Sequence, residues 1–409
     1  MLKISSKRFC NLGLLRIGNY MTEWKTYRLG DVCNLVAGFA FKSKDFGDHP
    51  NKVVKIADIQ PPVVNTNDLV GVDMSNYDTN KLRKYIVSKG DYVLAMTGAT
   101  IGKLGRIAND IKAYINQRVL TFRPIESVVD KNYLYYQLCS ENFNKYILNH
   151  IDSETAQPNI SAGSVGGFEI SLPSLDEQRR IAGILSAIDD KIENNRRINT
   201  NLELQAQALF DKIFFDDKGV ERNPLSDYAN INPTRTLHQG VVARYIAMAN
   251  LPTKGSFPSD WSYKSYGGGC KFANGDTIMA RITPCLENGK TAYIDFLEEQ
   301  EVAFGSTEYI VISAKSGYCP ALFYFLARNK EFVDYAVGHM NGSSGRQRVG
   351  GVDIANFPMP HISLEDSNKF AEIAIPIMDV IRNNSLENRQ LANLRDALLP
   401  KLMNGEIKL

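Results

Sequence analysis

The chain has 409 residues, a formal net charge of +2 and a hydrophobic content of 44%. This length favours two or three domains over a single core, and the composition is that of a folded protein rather than a disordered one. The near-neutral charge neither requires nor excludes a polyanionic partner, and no apolar run is long enough to predict a membrane span.

Residues 1–20 carry four basic side chains and no acidic one. Gly13, Arg16 and Gly18 interrupt the apolar part, so a signal sequence is disfavoured. We interpret these residues as an extension ahead of a true start at Met21. The six cysteines form no C-x-x-C pair, which predicts neither a zinc site nor a disulfide framework and suggests a reducing cytoplasm. The five histidines also lack metal-ligand spacing.

Residues 21–173 are predicted to form a first globular domain. The domain contains MTGATIGK, residues 96–103, which resembles a phosphate-binding loop. A Walker A loop has four residues between its glycines and a hydroxyl residue after its lysine. Here three residues separate Gly98 from Gly102, and Leu104 follows Lys103. We therefore predict a surface loop between two strands, and a nucleotide-dependent enzyme is the weakest interpretation.

A long helix is predicted over residues 174–215. Ser174 and Glu177 form a capping box at its start. Apolar residues then recur in three- and four-residue steps, a heptad pattern typical of a helix that packs against another helix: Ile181, Ile184, Ile188, Ile192, Leu202, Ala206, Leu209 and Ile213.

The same design returns in a second globular domain, residues 216–362, and a second helix, residues 363–409. Ser363 and Asp366 repeat the cap at a displacement of 363 − 174 = 189. KGDYVLAM (89–96) matches NGDTIMAR (274–281), and ARITPCLENGK (280–290) stands where MTGATIGK stood. The sequence predicts an α+β fold: two pseudo-repeated globular domains separated by two long helices that form an antiparallel coiled coil.

The helix pairing leads to a contact prediction. In an antiparallel pair centred near residue 197, Asn195 faces Asn388 and Asn199 faces Asn384. Such polar pairs would fix the register of an apolar seam, or they would mark a solvated middle where the helices splay. Both readings stay open. Pro376 predicts a kink in the second helix, and Pro400 predicts its end or a further bend.

Several stretches resemble the specificity (S) subunit of type I restriction–modification enzymes. They are WKTYRLGDV, GDYVLAMTGATIGK, INQRV and, above all, LPSLDEQRRIAGILSAIDDKIENNRRI. The resemblance runs from Met21 to the C-terminus. It implies two target recognition domains, each reading one half of a split double-stranded DNA sequence, and helical spacers that dock two modification (M) subunits. Restriction (R) subunits would complete a cytoplasmic complex.

The resemblance implies that this chain is not catalytic and binds no cofactor, because the M subunit would bind S-adenosylmethionine and methylate adenine. The residues agree with that expectation. No N-P-P-[FY] methyltransferase motif is present, and Glu287 and Lys290 are three residues apart, where a D…(D/E)-x-K nuclease site needs two.

Phosphate contacts position a protein on DNA, and base-edge contacts specify the sequence. In the first domain the candidates are Lys42, Ser43, Thr97, Thr100, Lys103, Gln117 and Arg118, and the resemblance adds Gln157, Asn159 and Ser161. In the second domain they are Arg235, Arg244, Lys264, Arg281, Thr283, Lys290, Ser344, Arg346, Gln347 and Arg348. The run GSSGRQR, residues 342–348, carries arginines and a glutamine, which pair with guanine and adenine edges.

Two structural alternatives accompany this list. INQRV is typical of a strand, so Gln117 and Arg118 could serve the fold, and any single lysine is better suited to a phosphate than to a base. Because the loops of the two domains differ, we expect an asymmetric target. The charge predicts modest DNA affinity for the chain alone. The rival interpretation is a scaffold whose coiled coil joins two protein-binding modules.

Overall fold

The computed structural model describes residues 24–152, 158–216, 219–343 and 345–409. The N-terminal extension, Gln157 and Ser344 lie outside the described residues. The chain forms two compact units: unit 1 runs to Ala187 and also takes in Arg395–Leu409, and unit 2 is Ile188–Leu394. This division cuts each long helix in two, whereas the sequence-based boundaries treat the helices as separate segments.

Unit 1 combines short helices with three sheets. Its elements are β1 Lys25–Arg28, α1 Leu29–Val32, β2 Cys33–Ala37, β3 Phe46–Val54, β4 Ile59–Gln60, β5 Val63–Val64, β6 Gly71–Val72, α2 Thr79–Leu82, β7 Ile86–Ser88, β8 Tyr92–Ala95, β9 Leu104–Arg106, β10 Lys112–Ile115, β11 Val119–Pro124, α3 Lys131–Leu138, α4 Glu141–Asn149, α5 Ala162–Gly166 and β12 Glu169–Leu172. The sheet orders are β2-β11-β8-β9-β5-β4, β6-β3-β10-β7 and β1-β12.

The core of unit 1 lies on both sides of β8. Every residue of this strand is buried, because α3 and α4 cover one face and the second sheet covers the other. Tyr92, Phe122 and Tyr133 are each at most 1% exposed. A strand held this firmly fixes the point at which the loop after it begins.

Unit 2 is built from a similar set of elements. They are β13 Arg222–Pro224, β14 Ala229–Ile231, β15 Val242–Ile246, β16 Ser262–Ser265, β17 Lys271–Phe272, β18 Asp276–Ala280, β19 Thr291–Tyr293, β20 Ala303–Gly305, β21 Tyr309–Ala314, α7 Pro320–Arg328, α8 Lys330–Gly338, α9 Gly351–Ala355 and β22 Pro358–Pro360. The sheet orders are β14-β21-β18-β19, β16-β15-β20-β17 and β13-β22. In chain order the two long helices are α6 and α10.

The two units use the same strand order. β2-β11-β8-β9 corresponds to β14-β21-β18-β19, and the parallel pair β3/β10 corresponds to β15/β20. Small details repeat as well: Tyr146 stacks on His150 and Tyr335 on His339, with 3.9 Å between ring centroids in both cases. The mixture of helices and mainly antiparallel sheets confirms the predicted α+β class.

The long helices are α6, Leu175–Phe214, and α10, Leu364–Met403, each of 40 residues. Each begins at its predicted serine: the Ser174 Oγ accepts the Glu177 N–H at 3.3 Å, and the Ser363 Oγ accepts the Asp366 N–H at 3.0 Å. The helix α10 continues through the exposed Pro376, and Pro400 does not end it, contrary to one of the two expectations for that residue.

The predicted apolar stripe of α6 needs correction. Ile184 and Ile213 are each 38% exposed, whereas Leu185 and Phe210, outside the predicted stripe, are 0% exposed. An α-helix advances 3.6 residues per turn, so the buried face drifts away from a strict seven-residue repeat. Elements packed from the globular part of each unit decide which neighbouring residue is covered.

Within unit 2, the asparagines of the two helices meet as antiparallel geometry requires. The Asn195 Nδ2 donates to the Asn388 Oδ1 at 3.0 Å and to the Glu387 Oε2 at 2.7 Å. The Asn384 Nδ2 donates to the Asn199 Oδ1 at 2.8 Å. Asn195 is 1% exposed, so this part of the seam is closed rather than splayed and solvated.

Candidate nucleic-acid interface

The loop after β8 is the centre of the candidate site in unit 1. Residues 96–103 join β8 to β9, as predicted, and contain one short 3₁₀ turn, Gly98–Thr100. Gly98 N–H and Thr97 Oγ1 both donate to the Pro158 carbonyl, at 3.0 and 3.1 Å. The Ile160 N–H donates to the Met96 carbonyl at 2.9 Å. These bonds bring the segment 158–161 against the loop.

A tight turn between β10 and β11 completes the site. Gln117 and Arg118 form this turn and are both exposed, so the reading of INQRV as continuous strand was wrong. Arg118 has a φ of 73°, a left-handed conformation that a strand does not accommodate. Its carbonyl accepts the Met96 N–H at 2.9 Å, which places the turn beside the start of the loop.

The remaining candidates of unit 1 divide by exposure. Lys103 and Lys42 have exposed side chains, and the Lys42 N–H donates to the Tyr77 hydroxyl at 3.0 Å, beside the exposed Ser43. Thr97 is 8% exposed, and the Thr100 hydroxyl donates to the Thr97 carbonyl at 3.0 Å, so both hydroxyls shape the loop. Ser161 is exposed and caps α5: its Oγ accepts the Ser164 N–H at 2.9 Å.

Unit 2 brings the corresponding three segments together at the end of β18. The Arg281 N–H donates to the Glu308 carbonyl at 3.0 Å, and the Val349 N–H donates to the Arg281 carbonyl at 3.0 Å. The Thr283 N–H donates to the Gln347 carbonyl, also at 3.0 Å. The loop 281–290, the turn 306–308 and the segment 341–348 therefore repeat the backbone arrangement of unit 1.

The polar side chains on this shared backbone are different. Glu308 occupies the turn position that Arg118 occupies in unit 1, and Arg348 occupies that of Asn159. Arg348 Nε and Nη2 lie 2.8–3.0 Å from the Glu308 carboxylate oxygens. These hydrogen bonds hold the pKa of the Glu308 carboxyl below its usual value, so the group stays ionised.

Three cationic candidates of unit 2 are engaged inside the fold. Arg244 is 6% exposed, pairs with Glu301 at 3.2 Å and lies 5.0 Å from the Trp261 ring centroid. Arg235 pairs with Asp276, whose side chain is 1% exposed. The Lys290 Nζ donates to the Met248 carbonyl at 2.7 Å. We assign all three a structural role and leave them out of the proposed interface.

The other candidates of unit 2 lie at or near the surface. Lys264, Arg346 and Gln347 are exposed, and the Lys264 Nζ lies 4.1 Å from the Tyr245 ring centroid. The Thr283 hydroxyl donates to Glu287 at 2.9 Å. Arg281 is half-buried, and its Nε has no hydrogen-bond partner among the described residues.

Sequence reasoning missed Glu308 and Arg328. Glu308 could have been found by aligning the residues before β21 with those before β11. Arg328, at the end of α7, donates to four backbone carbonyls at 2.6–3.1 Å: those of Thr253, Gly255, Gly289 and Thr291. No local motif predicts such a residue, because its partners are distant in sequence.

Neither a metal nor a membrane is indicated by the part of the chain that the structure describes. In that part no group of three or more His, Cys, Asp or Glu side chains is arranged to hold a metal ion. No described helix is both long and apolar enough to cross a bilayer.

Comparison with known proteins finds similarity to specificity subunits of type I restriction enzymes. A family model described as "Type I restriction modification DNA specificity domain" matches residues 21–204. The HindI specificity subunit of Haemophilus influenzae is 23% identical over 95% of this chain and 100% of that protein. The MjaIX specificity subunit of Methanocaldococcus jannaschii is 26% identical over 77% of each chain.

The fold has a counterpart among solved structures. The crystal structure of a type I restriction–modification S subunit from M. genitalium superposes with a TM-score of 0.59. The match covers 95% of this chain and 98% of that one at 16% sequence identity, so it supports the fold.

Proposed function

We infer that this chain, which belongs to the family of type I restriction–modification specificity subunits, selects the DNA sequence on which its complex acts. One observation carries the proposal at the level of the site. Each unit gathers a loop, a turn and a third segment at the end of its central strand, on the same backbone but with different polar side chains. A backbone arrangement that is repeated in both units with different side chains suits two domains that read different DNA sequences.

In unit 1 the proposed DNA-contacting side chains are the exposed ones. Lys42 and Lys103 supply cations suited to phosphate oxygens, and Gln117 and Arg118 stand on the turn beside the loop. In a major groove, arginine pairs with guanine and glutamine with adenine. We therefore propose that the lysines position unit 1 and that the turn reads bases.

In unit 2 we likewise propose that the lysine positions the unit on phosphates and that the other side chains read bases. The lysine is Lys264, and the other residues are Arg346, Gln347 and Arg348. Since the reading positions carry different residues in the two units, each unit is proposed to read a different half-site of one asymmetric target. The repeated strand order supports treating the units as a pseudo-repeat of two target recognition domains.

The long helices are proposed to form an antiparallel coiled coil that docks two M subunits. Apolar side chains remain exposed along both, including Leu204 at 64%, Ile373 at 47% and Leu394 at 49%. The asparagine pairs are proposed to fix the register of the helices. S-adenosylmethionine and the methyl transfer are assigned to M, and R subunits are proposed to join the complete complex.

The proposal is tested by sequencing methylated adenines in cells that carry this chain and its M subunit, with and without the chain. We expect one split, asymmetric motif that disappears when the chain is deleted. An unchanged methylome, with both proteins expressed, would contradict the DNA-recognition role and favour a scaffold.

A second measurement tests the proposed phosphate contact. For the assembled complex, a plot of the logarithm of the DNA-binding constant against the logarithm of salt concentration has a slope that Lys103→Ala should reduce in magnitude by about 1. The variant should also weaken binding equally on all sequences. Lys145→Ala is the matched control, because Lys145 is an exposed lysine of α4 paired with Glu141 at 2.8 Å. Equal slopes for the two variants would remove Lys103 from the interface.

A further inference from the structure

The Arg348–Glu308 pair has a geometry that limits what the arginine can do. Arg348 Nε is 3.0 and 2.9 Å from the two Glu308 oxygens, and Nη2 is 2.8 Å from Oε1. The Arg348 Nη1 donates to the Arg346 carbonyl at 3.0 Å. The carboxylate thus engages the edge of the guanidinium formed by Nε and Nη2, and the Arg348 side chain as a whole is 39% accessible.

A count of donors shows what remains. A guanidinium has five N–H groups. One on Nε and one on Nη2 bond to Glu308, and one on Nη1 bonds to Arg346. Among the described residues nothing accepts the remaining N–H on Nη1 or on Nη2. Two remaining N–H groups, on the two Nη nitrogens of one guanidinium, suit the paired O6 and N7 acceptors of guanine in the major groove.

The backbone on both sides of the pair is fixed. Arg348 and Asn341 exchange two backbone hydrogen bonds, both of 2.9 Å. The Glu308 carbonyl accepts the Arg281 N–H, and its own N–H donates to the Ser306 Oγ at 3.1 Å. An arginine held by a fixed carboxylate loses little rotamer freedom when it binds DNA. Its fixed position favours a contact with one particular base over a general electrostatic attraction to DNA.

We propose that Arg348 determines one guanine of the half-site read by unit 2 and that Glu308 is its positioning residue. This inference rests on the proposed DNA-recognition function and assigns one base class to one residue. The pair has no net charge, so its contribution is to selectivity more than to general attraction for phosphates. Unit 1, with Arg118 and Asn159 at these positions, would read its half-site differently.

The test uses the complex of this chain with its M subunit. Methylation rates are measured on the native target and on targets with each base pair of the unit 2 half-site replaced in turn. The variants are Arg348→Lys, which retains the charge and loses the fork, Arg348→Ala, which has no donor for guanine, and Glu308→Gln, which retains the shape and loses the charge. Glu331→Gln is the control, because Glu331 forms a separate ion pair of unit 2 with Arg222.

For the wild type, replacing the guanine should lower methylation by about 5- to 150-fold. Arg348→Lys should abolish most of that ratio at one G·C pair, and Glu308→Gln should reduce it at the same pair, while the ratios at other positions stay unchanged. The dependence of binding on salt should stay unchanged in Arg348→Lys, which retains the net charge of the pair. Glu331→Gln should match the wild type.

Two outcomes overturn the inference. If Arg348→Lys and Arg348→Ala both retain the wild-type ratio at every position, Arg348 reads no base, because alanine has no donor for guanine. If Arg348→Lys and Glu308→Gln lower methylation of all targets equally and lower Tm together, the pair only stabilises the segment 341–348. A wild-type complex that methylates no defined motif would instead refute the proposed function itself, so the two failures are distinguishable.

Discussion

Arg328 provides a measurable link between the helical part of unit 2 and its candidate DNA loop. Its two Nη atoms donate to the carbonyls of two chain segments, 253–255 and 289–291, and its Nε donates to the Tyr324 hydroxyl at 3.2 Å. The Tyr324 hydroxyl in turn donates to the Glu203 carboxylate of α6. The change Arg328→Lys retains the positive charge and replaces three donor nitrogens with one.

The expected loss follows from the bonds that one ammonium cannot make. The lysine ammonium can keep the hydrogen bonds to the two carbonyls that one Nη atom contacts. It loses the hydrogen bonds to the two carbonyls that the other Nη atom contacts. Hydrogen bonds to charged groups contribute about 1.5–3 kcal/mol each, and the released carbonyls partly regain water. We expect the free energy of unfolding of unit 2 to fall by about 3 kcal/mol.

The assay is guanidinium unfolding followed by the fluorescence of Trp261. This residue stacks on Phe296 in unit 2, with 4.6 Å between ring centroids. A Trp24→Phe background removes the second tryptophan. Arg222→Lys is the control, because an ion pair near the surface contributes at most about 1 kcal/mol. A loss of under about 1 kcal/mol for Arg328→Lys would refute the assignment of Arg328 as a support of the loop.

Three further predictions concern other parts of the chain. Asn195→Ala should lower the free energy of unfolding by about 1–3 kcal/mol because it leaves the Asn388 Oδ1 without its donor. In a double-mutant cycle measured by denaturation, the Asn195→Leu/Asn388→Leu variant should lose less free energy of unfolding than the two single variants together. Gly38→Ala places a Cβ 2.1 Å from the Asn116 carbonyl oxygen and should lower Tm. Gly183→Ala, whose Cβ has nothing within 4 Å, should raise the free energy of unfolding by about 0.5–1 kcal/mol. Equal shifts of Tm for the two variants in a thermal scan would contradict both expectations. Burial raises the pKa of Asp295 to about 7, so the folded state binds more protons than the unfolded state between about pH 4 and 7 and stability falls across that window. Asp295→Asn should remove this fall, so its gain in free energy of unfolding over the wild type should be largest at pH 8. Urea titrations of both proteins at pH 4, 6 and 8 that show no such trend would contradict the raised pKa of Asp295.

The features best predicted from sequence are those that depend on helical periodicity. A facing asparagine pair follows from spacing and antiparallel direction alone, and the contacts Asn195–Asn388 and Asn199–Asn384 are present. Periodicity was less successful at Ile184 and Ile213, because which residue of a wide apolar face is covered depends on partners from elsewhere in the chain.

The candidate site was harder to predict for a different reason. Residues 96–103, 117–118 and 158–161 come together through strand order, which no local pattern specifies. Arg244 and Lys290 were chosen for their charge, yet internal acceptors engage them. Glu308 was not among the predicted residues, although it pairs with the predicted Arg348.

The composition of unit 1 has a consequence for synthesis. Leu402 and Met403, at the end of α10, are buried in the core of unit 1 together with Ile181 and Leu185, and Trp24 lies against Gly405. Residues up to Ala187 leave the ribosome first, but this core is complete only after roughly 200 more residues are added, about 10–40 s at typical rates. Until then the nascent first unit exposes apolar surface that chaperones can bind, so a premature stop late in the message would damage the part of the protein that was made earliest.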